Sequence, residues 1–167
     1  MLDAYLQQEK KRNSQGIPAL PLIPEQTTQL CDLLRKPPAG REDLLLHLFR
    51  ERIAPGVDPS AKIKADFLGD LLQGKAASPL IDRKEAIRIL GTMIGGYNVP
   101  YLITALQEAD LADEAAGALS GITLVYDAFN EVLELSKSNP AARKVIESWA
   151  AADWFTSRPE LPTTFTL

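Results

Sequence analysis

The sequence predicts an all-α protein. Apolar residues recur at the spacing of helix faces along nearly the whole chain, and the alternating pattern of strands is almost absent. Helices expected to start near residues 24, 41, 58, 82, 100, 121 and 140 place two helices in every ~34 to ~42 residues, which is the period of helical-hairpin repeats. These spacings predict a HEAT-like, right-handed superhelical stack of antiparallel helix pairs (an α-α superhelix). A compact helical bundle is the alternative.

The first four helices have recognisable start and stop signals. The first should run from Leu2 to about Ser14. The second begins at Pro24, because a proline has no N–H to leave unpaired in the first turn, and "KPPAG" ends it. The third begins near Arg41 and ends at "APG". Asp58 is the expected N-cap of the fourth, which follows with a proline at its first position.

The fifth helix is expected to begin at Asp82, because Glu85 lies three residues further on, at the spacing of a capping box. Its buried face should contain Ala86, Ile87, Leu90, Met93 and Ile94. Gly95 or Gly96 should end it as a C-cap with positive φ. A phosphate-binding loop is the less favoured interpretation of this glycine pair, because such a loop leads from a strand into a helix and here the glycines follow a helix.

The C-terminal third should contain four more helices. The sixth begins near Pro100, and a short seventh follows at about residues 111–119. The eighth is expected throughout "GITLVYDAFNEVLEL", and the ninth begins at Pro140. We therefore predict a helical domain over residues 1–158. Residues 159–167 are expected to form an extended tail, because threonine and phenylalanine favour extended backbone.

Composition excludes several classes of protein. The formal charge of −4 argues against broad nucleic-acid binding. The N-terminus lacks the apolar core of a secretory signal, and no apolar run reaches the length of a membrane span. The only cysteine, Cys31, rules out an internal disulfide and fits a reducing compartment, so we expect a cytoplasmic protein without membrane association.

Residues of the types that act in catalysis or bind metals are present, but their spacing does not form a catalytic motif. His47 has no partner at ligand spacing and is expected to be a partly buried structural residue, and Cys31 a small core residue. Asp110, Asp113 and Glu114 fit a helix N-cap and first turn better than an acid–base pair. The sequence assigns no catalytic, cofactor-binding or metal-binding residue.

Surface roles are the remaining candidates. The turn at Tyr97 and Asn98 and the aromatic cluster of Trp149, Trp154 and Phe155 are candidate interface residues, although the aromatic cluster is also expected to close the core. A candidate RNA-binding patch combines Lys10, Lys11 and Arg12 with Arg50, Arg52, Lys62 and Lys64.

Six segments, in order, resemble the N-terminal HEAT-like domain of bacterial aconitate hydratase B. They are "KPPAGRE", "APGVDPSAKIKADFL", "SPLI", "LGTMIGGYNVPYLI", "ALSGITLVYDAF" and "ESWAAADWFTSRPEL". The resemblance runs from about Leu2 to Leu161. One position departs from the family pattern, because Pro100 lies one residue earlier after "GGYN", so no loop-specific role is carried over.

The resemblance implies a non-catalytic interaction domain. The family isomerises citrate and isocitrate through cis-aconitate in the tricarboxylic acid cycle, and also has 2-methylisocitrate dehydratase activity. Its 4Fe–4S cluster, three cysteine ligands and substrate-binding residues lie in later domains, so no cofactor and no lyase activity are implied for this chain. The tail would coincide with the start of a β-rich domain.

The resemblance also implies partners. The domain would pack on the catalytic domains, help form a substrate channel and take part in iron-dependent dimerisation. The cluster-free family protein also has an RNA-binding role. The alternatives are a free-standing helical-repeat adaptor that binds an unrelated protein, and a regulatory RNA-binding module.

Overall fold

A computed structural model describes residues 1–122, 125 and 128–151 of the chain. Within these residues the chain forms nine α-helices and one isolated β-bridge, between Leu22 and Ile53, so the all-α prediction is confirmed. The helices are α1 (Leu2–Asn13), α2 (Pro24–Arg35), α3 (Glu42–Glu51), α4 (Pro59–Leu72), α5 (Arg83–Gly91), α6 (Val99–Ala105), α7 (Ala112–Ser120), α8 (Phe129–Ser136) and α9 (Pro140–Ala150).

Two helix starts show why the local sequence signals work. The Asp58 carboxylate accepts a hydrogen bond from the Ser60 N–H at 2.7 Å, directly before the proline that begins α4. The Asn139 side-chain oxygen accepts from the N–H groups of Ala141 and Ala142 at 2.9 and 3.2 Å, before the proline that begins α9. Each cap satisfies backbone donors that the first helical turn leaves unpaired.

Met1–Asp82 forms one compact unit. Its helix α2 packs against α3 and α4. Phe49 of α3 and Phe67 of α4 meet edge to face, with their ring centroids 5.7 Å apart. The Ser78 hydroxyl donates to the Leu34 carbonyl at 2.7 Å, which fixes the loop after α4 to the end of α2. The core of this unit consists of buried residues that include Leu30, Leu34, Leu45, Leu48, Phe49, Phe67 and Leu68.

Arg83–Leu167 forms the second unit. In its described part, α7 contacts α5, α6 and α9, while α8 packs on α9. These contacts between alternate helices are expected where successive helix pairs stack, although the right-handed superhelix itself stays a prediction. The core includes Ile87, Leu90, Leu102, Ile103, Leu119, Val132 and Val145, all buried.

Two of the predicted helix boundaries are wrong. α8 begins at Phe129, and Ile122 and Val125 are not helical although both belong to the predicted helix. A cluster of β-branched residues at its expected start lowers helix propensity there. α5 ends at Gly91 and not at the glycine pair. Ile94 therefore lies outside the helix and not on its buried face, and the residue is 63% exposed.

The predicted domain boundary and extended tail stay predictions, because residues 152–167 lie outside the described part of the chain. None of the helices in the described ranges has the length and apolar character needed to cross a bilayer.

Candidate functional site

The turn between α5 and α6 contains two of the predicted interface residues. Gly95 and Gly96 both have positive φ, 96° and 90°, in a turn that begins after Gly91. The prediction of a turn is therefore confirmed, whereas the prediction that this pair caps the helix is wrong. Glycine is suited to both positions because other residues rarely adopt this backbone conformation.

Asn98 holds this turn together from the inside. Its side-chain amide donates to the carbonyl oxygens of Leu90 and Met93, at 2.7 and 3.2 Å. The residue is only 1% exposed, and its buried Oδ1 atom accepts no hydrogen bond from the residues that the structure describes. Tyr97 is half-buried beside it. The Asn98 side chain thus positions the turn, and any partner would meet the neighbouring residues.

A groove of about 560 Å³ lies against this turn. It is bordered by both sides of the turn and by Gly121, Ile122, Val125 and Ala128. No described lining residue carries an ionisable side chain. The described part of the lining therefore offers mainly apolar contact.

Trp149 lies at the end of the chain's described part, in α9. Its indole N–H donates to the Leu119 carbonyl at 3.0 Å, and its ring stacks on Phe129 at a centroid distance of 6.0 Å. The side chain is half-buried. These contacts make Trp149 a link between α7, α8 and α9, as expected for a residue that closes the core. Trp154 and Phe155, the other two aromatic candidates, lie outside the described residues.

The basic residues at the end of α1 are only partly available for a ligand. Lys10 and Lys11 are exposed. Arg12 donates from Nε to the Pro18 carbonyl at 2.6 Å, which fixes the chain that follows the helix.

Of the other four predicted RNA contacts, Arg50 is exposed, whereas three are engaged or buried within the fold. Arg52 donates to the Tyr5 hydroxyl at 2.9 Å and also to the Ala19 carbonyl, so its guanidinium is used within the fold. Lys62 forms an ion pair with Asp66 at 2.6 Å. Lys64 is buried. Because phosphate binding needs accessible cations, these positions add little to an RNA surface.

Lys64 is an unusual buried cation on α4. Its Nζ donates to the Arg50 carbonyl at 3.3 Å and lies 5.4 Å from the centroid of the Phe49 ring. Burial lowers the pKa of this ammonium from 10.5 to about 8, with Glu51 opposing and Arg50 assisting the shift. The contact with the last turn of α3 places a positive charge at the negative end of that helix.

The acidic cluster at the start of α7 is paired with cations from other helices. Arg83 of α5 contacts Asp110 at 3.3 Å, and Lys84 contacts Glu114 at 2.8 Å. Lys144 of α9 contacts Asp113 at 2.9 Å. The hydrogen bond from Lys84 lowers the pKa of the Glu114 carboxyl. A carboxylate such as Glu114, held ionised in this way, is a poor proton donor near neutral pH. The three ion pairs link the start of α7 to α5 and α9.

Cys31 and His47 have opposite environments. Cys31 is buried in α2, as predicted, and burial raises the pKa of its thiol from 9.0 to about 12. His47 is exposed, so the prediction of a partly buried histidine is wrong. The buried side of α3 is formed by Leu45, Leu48 and Phe49, and a residue two positions after Leu45 lies on the opposite side of a helix.

Comparison with known proteins matches this fold to one family. The family model described as the aconitate B N-terminal domain matches residues 4–155. The chain belongs to this family. Aconitate hydratase B from Synechocystis is 47% identical over 169 residues, and that from Pseudomonas aeruginosa is 46% identical over 168. The Escherichia coli protein is 45% identical over 168 residues.

The chain spans about a fifth of these aconitate hydratase B relatives. Each of the three alignments covers 100% of this chain but only 19% or 20% of the relative. The matched region is therefore a small part of each relative, and the family's description identifies it as the N-terminal domain.

The iron–sulfur cluster implied for aconitate hydratase B does not fit the residues of this domain. Such clusters are held by several cysteine thiolates, and Cys31 is the single cysteine in the chain. The raised pKa of its buried thiol further disfavours the thiolate that a metal ion needs. Among the described residues, no three His, Cys, Asp or Glu side chains are grouped to hold a metal ion.

Sequence reasoning missed one surface of this aconitate hydratase B domain. Large aliphatic side chains are exposed in the segment before α2 and in the loop before α4; they are Ile17, Leu20, Ile23 and Val57. The available signal was the spacing of prolines at positions 18, 21 and 24, each directly after one of the first three aliphatic residues.

Proposed function

We propose that this chain acts as the non-catalytic interaction domain of an aconitate hydratase B polypeptide and packs on its catalytic core. The observation that carries the proposal is the family match over residues 4–155, within relatives about five times longer. The relatives' name makes citrate–isocitrate isomerisation through cis-aconitate the proposed activity of the whole polypeptide. A cytoplasmic location is part of the same proposal.

The use of the domain's reactive side chains supports a non-catalytic role. The carboxylates of Asp110, Asp113 and Glu114 are paired with cations on other helices, and Cys31 is enclosed in the core. The three ion pairs link the start of α7 to α5 and α9, and the burial of Cys31 keeps its thiol away from solvent. The apolar groove beside the α5–α6 turn likewise offers contact area, and the lining residues that the structure describes carry no ionisable side chain.

Turnover measurements test the non-catalytic part. The 167-residue chain, incubated with ferrous iron and sulfide under anaerobic conditions, should not convert citrate or cis-aconitate. Full-length aconitate hydratase B treated in the same way is the positive control. Turnover by the short chain would overturn this part of the proposal.

Limited proteolysis tests packing on the core. The full-length enzyme is cut in the region that follows Leu167 and then passed over a size-exclusion column. The cut domain should co-elute with the remainder, because contacts between the two persist after the covalent link is broken. Separate elution would overturn the packing proposal.

Channel formation and iron-linked dimerisation are further parts of the proposal. Sedimentation of the full-length enzyme and of the 167-residue chain, each with and without ferrous iron, tests the second. An iron-dependent shift to a dimer in both supports it, and a monomer at every concentration and iron level would overturn it. RNA binding is less favoured, because Arg52, Lys62 and Lys64 are already engaged or buried within the fold.

A further inference from the structure

The segment from Ile17 to Pro24 has a three-residue repeat. Prolines occur at positions 18, 21 and 24, and each follows a large aliphatic residue. Proline fixes its own φ and excludes the helical conformation for the residue before it, so this repeat favours a polyproline II helix with three residues per turn. Ile23 has φ −77° and ψ 165°, values that are typical of this conformation.

The three-residue period divides the segment into faces. Ala19 and Leu22 are buried against the first unit. Ile17, Leu20 and Ile23 fall on another face of a three-residue helix, and their side chains are 39%, 48% and 55% exposed. The segment is therefore amphipathic, with one face in the core and one aliphatic face outside it.

Hydrogen bonds fix the segment in place. The Leu22 N–H donates to the Arg52 carbonyl at 2.7 Å, and the Leu22 carbonyl accepts from the Ser60 hydroxyl at 3.1 Å. At the other end, the Leu20 N–H donates to the side chain of Gln8 at 3.2 Å. A surface that is already ordered loses little conformational entropy when a partner binds.

A further exposed aliphatic residue, Val57, lies in the loop before α4, the helix whose first turn contacts this segment. It directly precedes Asp58, the N-cap of α4, and Ser60 in the first turn of that helix contacts Leu22. Val57 is 74% exposed. We call the surface formed by Ile17, Leu20, Ile23 and Val57 the aliphatic edge. Among the described residues these are four of the five exposed large hydrophobic side chains, the fifth being Ile94 of the second unit.

We propose that the aliphatic edge is the surface on which the remainder of the aconitate hydratase B polypeptide docks, through an apolar groove. This inference rests on the proposed function and names the contact surface for it. Clustered exposed aliphatic side chains mark an interaction site, and preformed polyproline II segments bind in apolar grooves that are lined by aromatic side chains.

We infer that the remainder of the same polypeptide occupies the aliphatic edge, because the match covers only a small part of each relative. About four-fifths of each relative's length lies outside the matched domain and is covalently joined to it. A covalent link gives the remainder a high effective concentration at this surface. The four side chains of the edge are aliphatic, which favours an apolar partner surface over phosphate groups.

Carbene footprinting tests the assignment directly. Labelling of Ile17, Leu20, Ile23 and Val57 is compared between full-length aconitate hydratase B and the 167-residue chain, at two protein concentrations. We expect labelling in the full-length enzyme to fall several-fold at all four positions. Equal labelling in both proteins would overturn the inference. Protection in the short chain that grows with concentration would also overturn it, because the occupant would then be a second copy.

Substitutions separate this inference from the proposed function. Leu20→Ser and Val57→Ser in the full-length enzyme should weaken co-elution after cleavage by about ten-fold or more, as for central interface residues. Ile94→Ser is the matched control, because Ile94 is also an exposed aliphatic residue but lies in the second unit. If the cut domain co-elutes with the remainder but the aliphatic edge is labelled equally in both proteins, this inference alone would be overturned. Failure of the unsubstituted domain to co-elute would overturn the proposed function as well.

Discussion

Gly91 at the end of α5 faces Ala118 of α7 so closely that a Cβ added to Gly91 would lie 2.9 Å from the Ala118 Cβ and 3.4 Å from its Cα. Gly91 has no positive φ, so its backbone conformation does not require glycine. The requirement comes from packing, because the two helices approach each other at this point.

Gly91→Ala should therefore destabilise the protein. In an isolated helix, alanine is more favourable than glycine by about 1 kcal/mol. Here the added methyl group overlaps the side chain and backbone of Ala118, and overpacking of this kind costs about 1–3 kcal/mol. We expect a net decrease in the free energy of unfolding, measured by urea denaturation followed by circular dichroism.

Two further variants control this experiment. Gly117→Ala adds the same methyl group to α7, where nothing lies within 4 Å, and should raise the free energy of unfolding by about 0.5–1 kcal/mol. Adding Ala118→Gly to Gly91→Ala should restore part of the lost stability by making room for the methyl group. A Gly91→Ala variant as stable as the parent would contradict the close packing.

The helix contact at Gly91 illustrates what the sequence could not predict. The apolar spacing of Leu90, Met93 and Ile94 predicted a helix that continued to the glycine pair. The structure ends α5 at Gly91, where α7 packs against it. By contrast, the buried faces of α2 and α3 were predictable, because helical periodicity is a local property and these faces follow it.

The candidate site likewise combines features that local sequence predicts with features that depend on contacts between distant residues. That the glycine pair forms a turn, and that Asn98 bonds backbone groups within it, followed from local residue chemistry. The role of Trp149 depends on Leu119 and Phe129, which belong to other helices. The aliphatic edge also depends on contacts between distant segments, because only the folded chain brings Leu22 to Ser60.

Asn98→Ala should destabilise the second unit through the loss of two buried hydrogen bonds. The carbonyls of Leu90 and Met93 would lose their side-chain donor. The Leu90 carbonyl keeps a second hydrogen bond, from the Met93 N–H. One buried carbonyl is therefore left unsatisfied, which costs about 1–3 kcal/mol, and we expect a decrease of that size in the free energy of unfolding. Asn13→Ala, at an exposed asparagine at the end of α1, is the matched control and should change it by less than about 0.5 kcal/mol. Equal effects of the two substitutions would argue against the internal role of Asn98.

Cys31 should react with thiol reagents only when local or global unfolding exposes its thiol. Burial raises the pKa of the thiol from 9.0 to about 12, which reduces the thiolate fraction near neutral pH by about 1,000-fold. We expect labelling by a disulfide reagent in native buffer to be slower by at least this factor than in concentrated urea. Gln29→Cys combined with Cys31→Ala places a thiol at an exposed position of the same helix and should label rapidly. Native Cys31 that labelled as fast as this variant would contradict its burial.

Lys64 should make stability depend on alkaline pH. Its pKa is about 8 in the folded protein and 10.5 as the unperturbed value, which stands for the unfolded chain. The unfolded chain therefore binds more protons between these values, and the contribution of Lys64 to the free energy of unfolding rises as the pH rises through this window. The cost of burying the charged Lys64 side chain, about 3 kcal/mol, is fully present below its pKa in the folded protein and disappears above its pKa in the unfolded chain.

The variant Lys64→Met isolates this effect. Methionine keeps an unbranched side chain in the core but carries no charge, so its advantage over lysine should be greatest below pH 8 and should decrease by about 3 kcal/mol by pH 10.5. Both proteins should carry Cys31→Ala, because a thiol with a raised pKa destabilises the fold as the pH rises above 9.0 and would obscure the opposite trend. Lys62→Met, which removes one partner of the exposed Lys62–Asp66 ion pair, serves as the control. Its stability relative to the parent should not change comparably across this pH window. A stability difference between the Lys64→Met protein and its parent that stayed constant from neutral pH to pH 10.5 would mean that Lys64 keeps an ordinary pKa and has access to water in the folded protein.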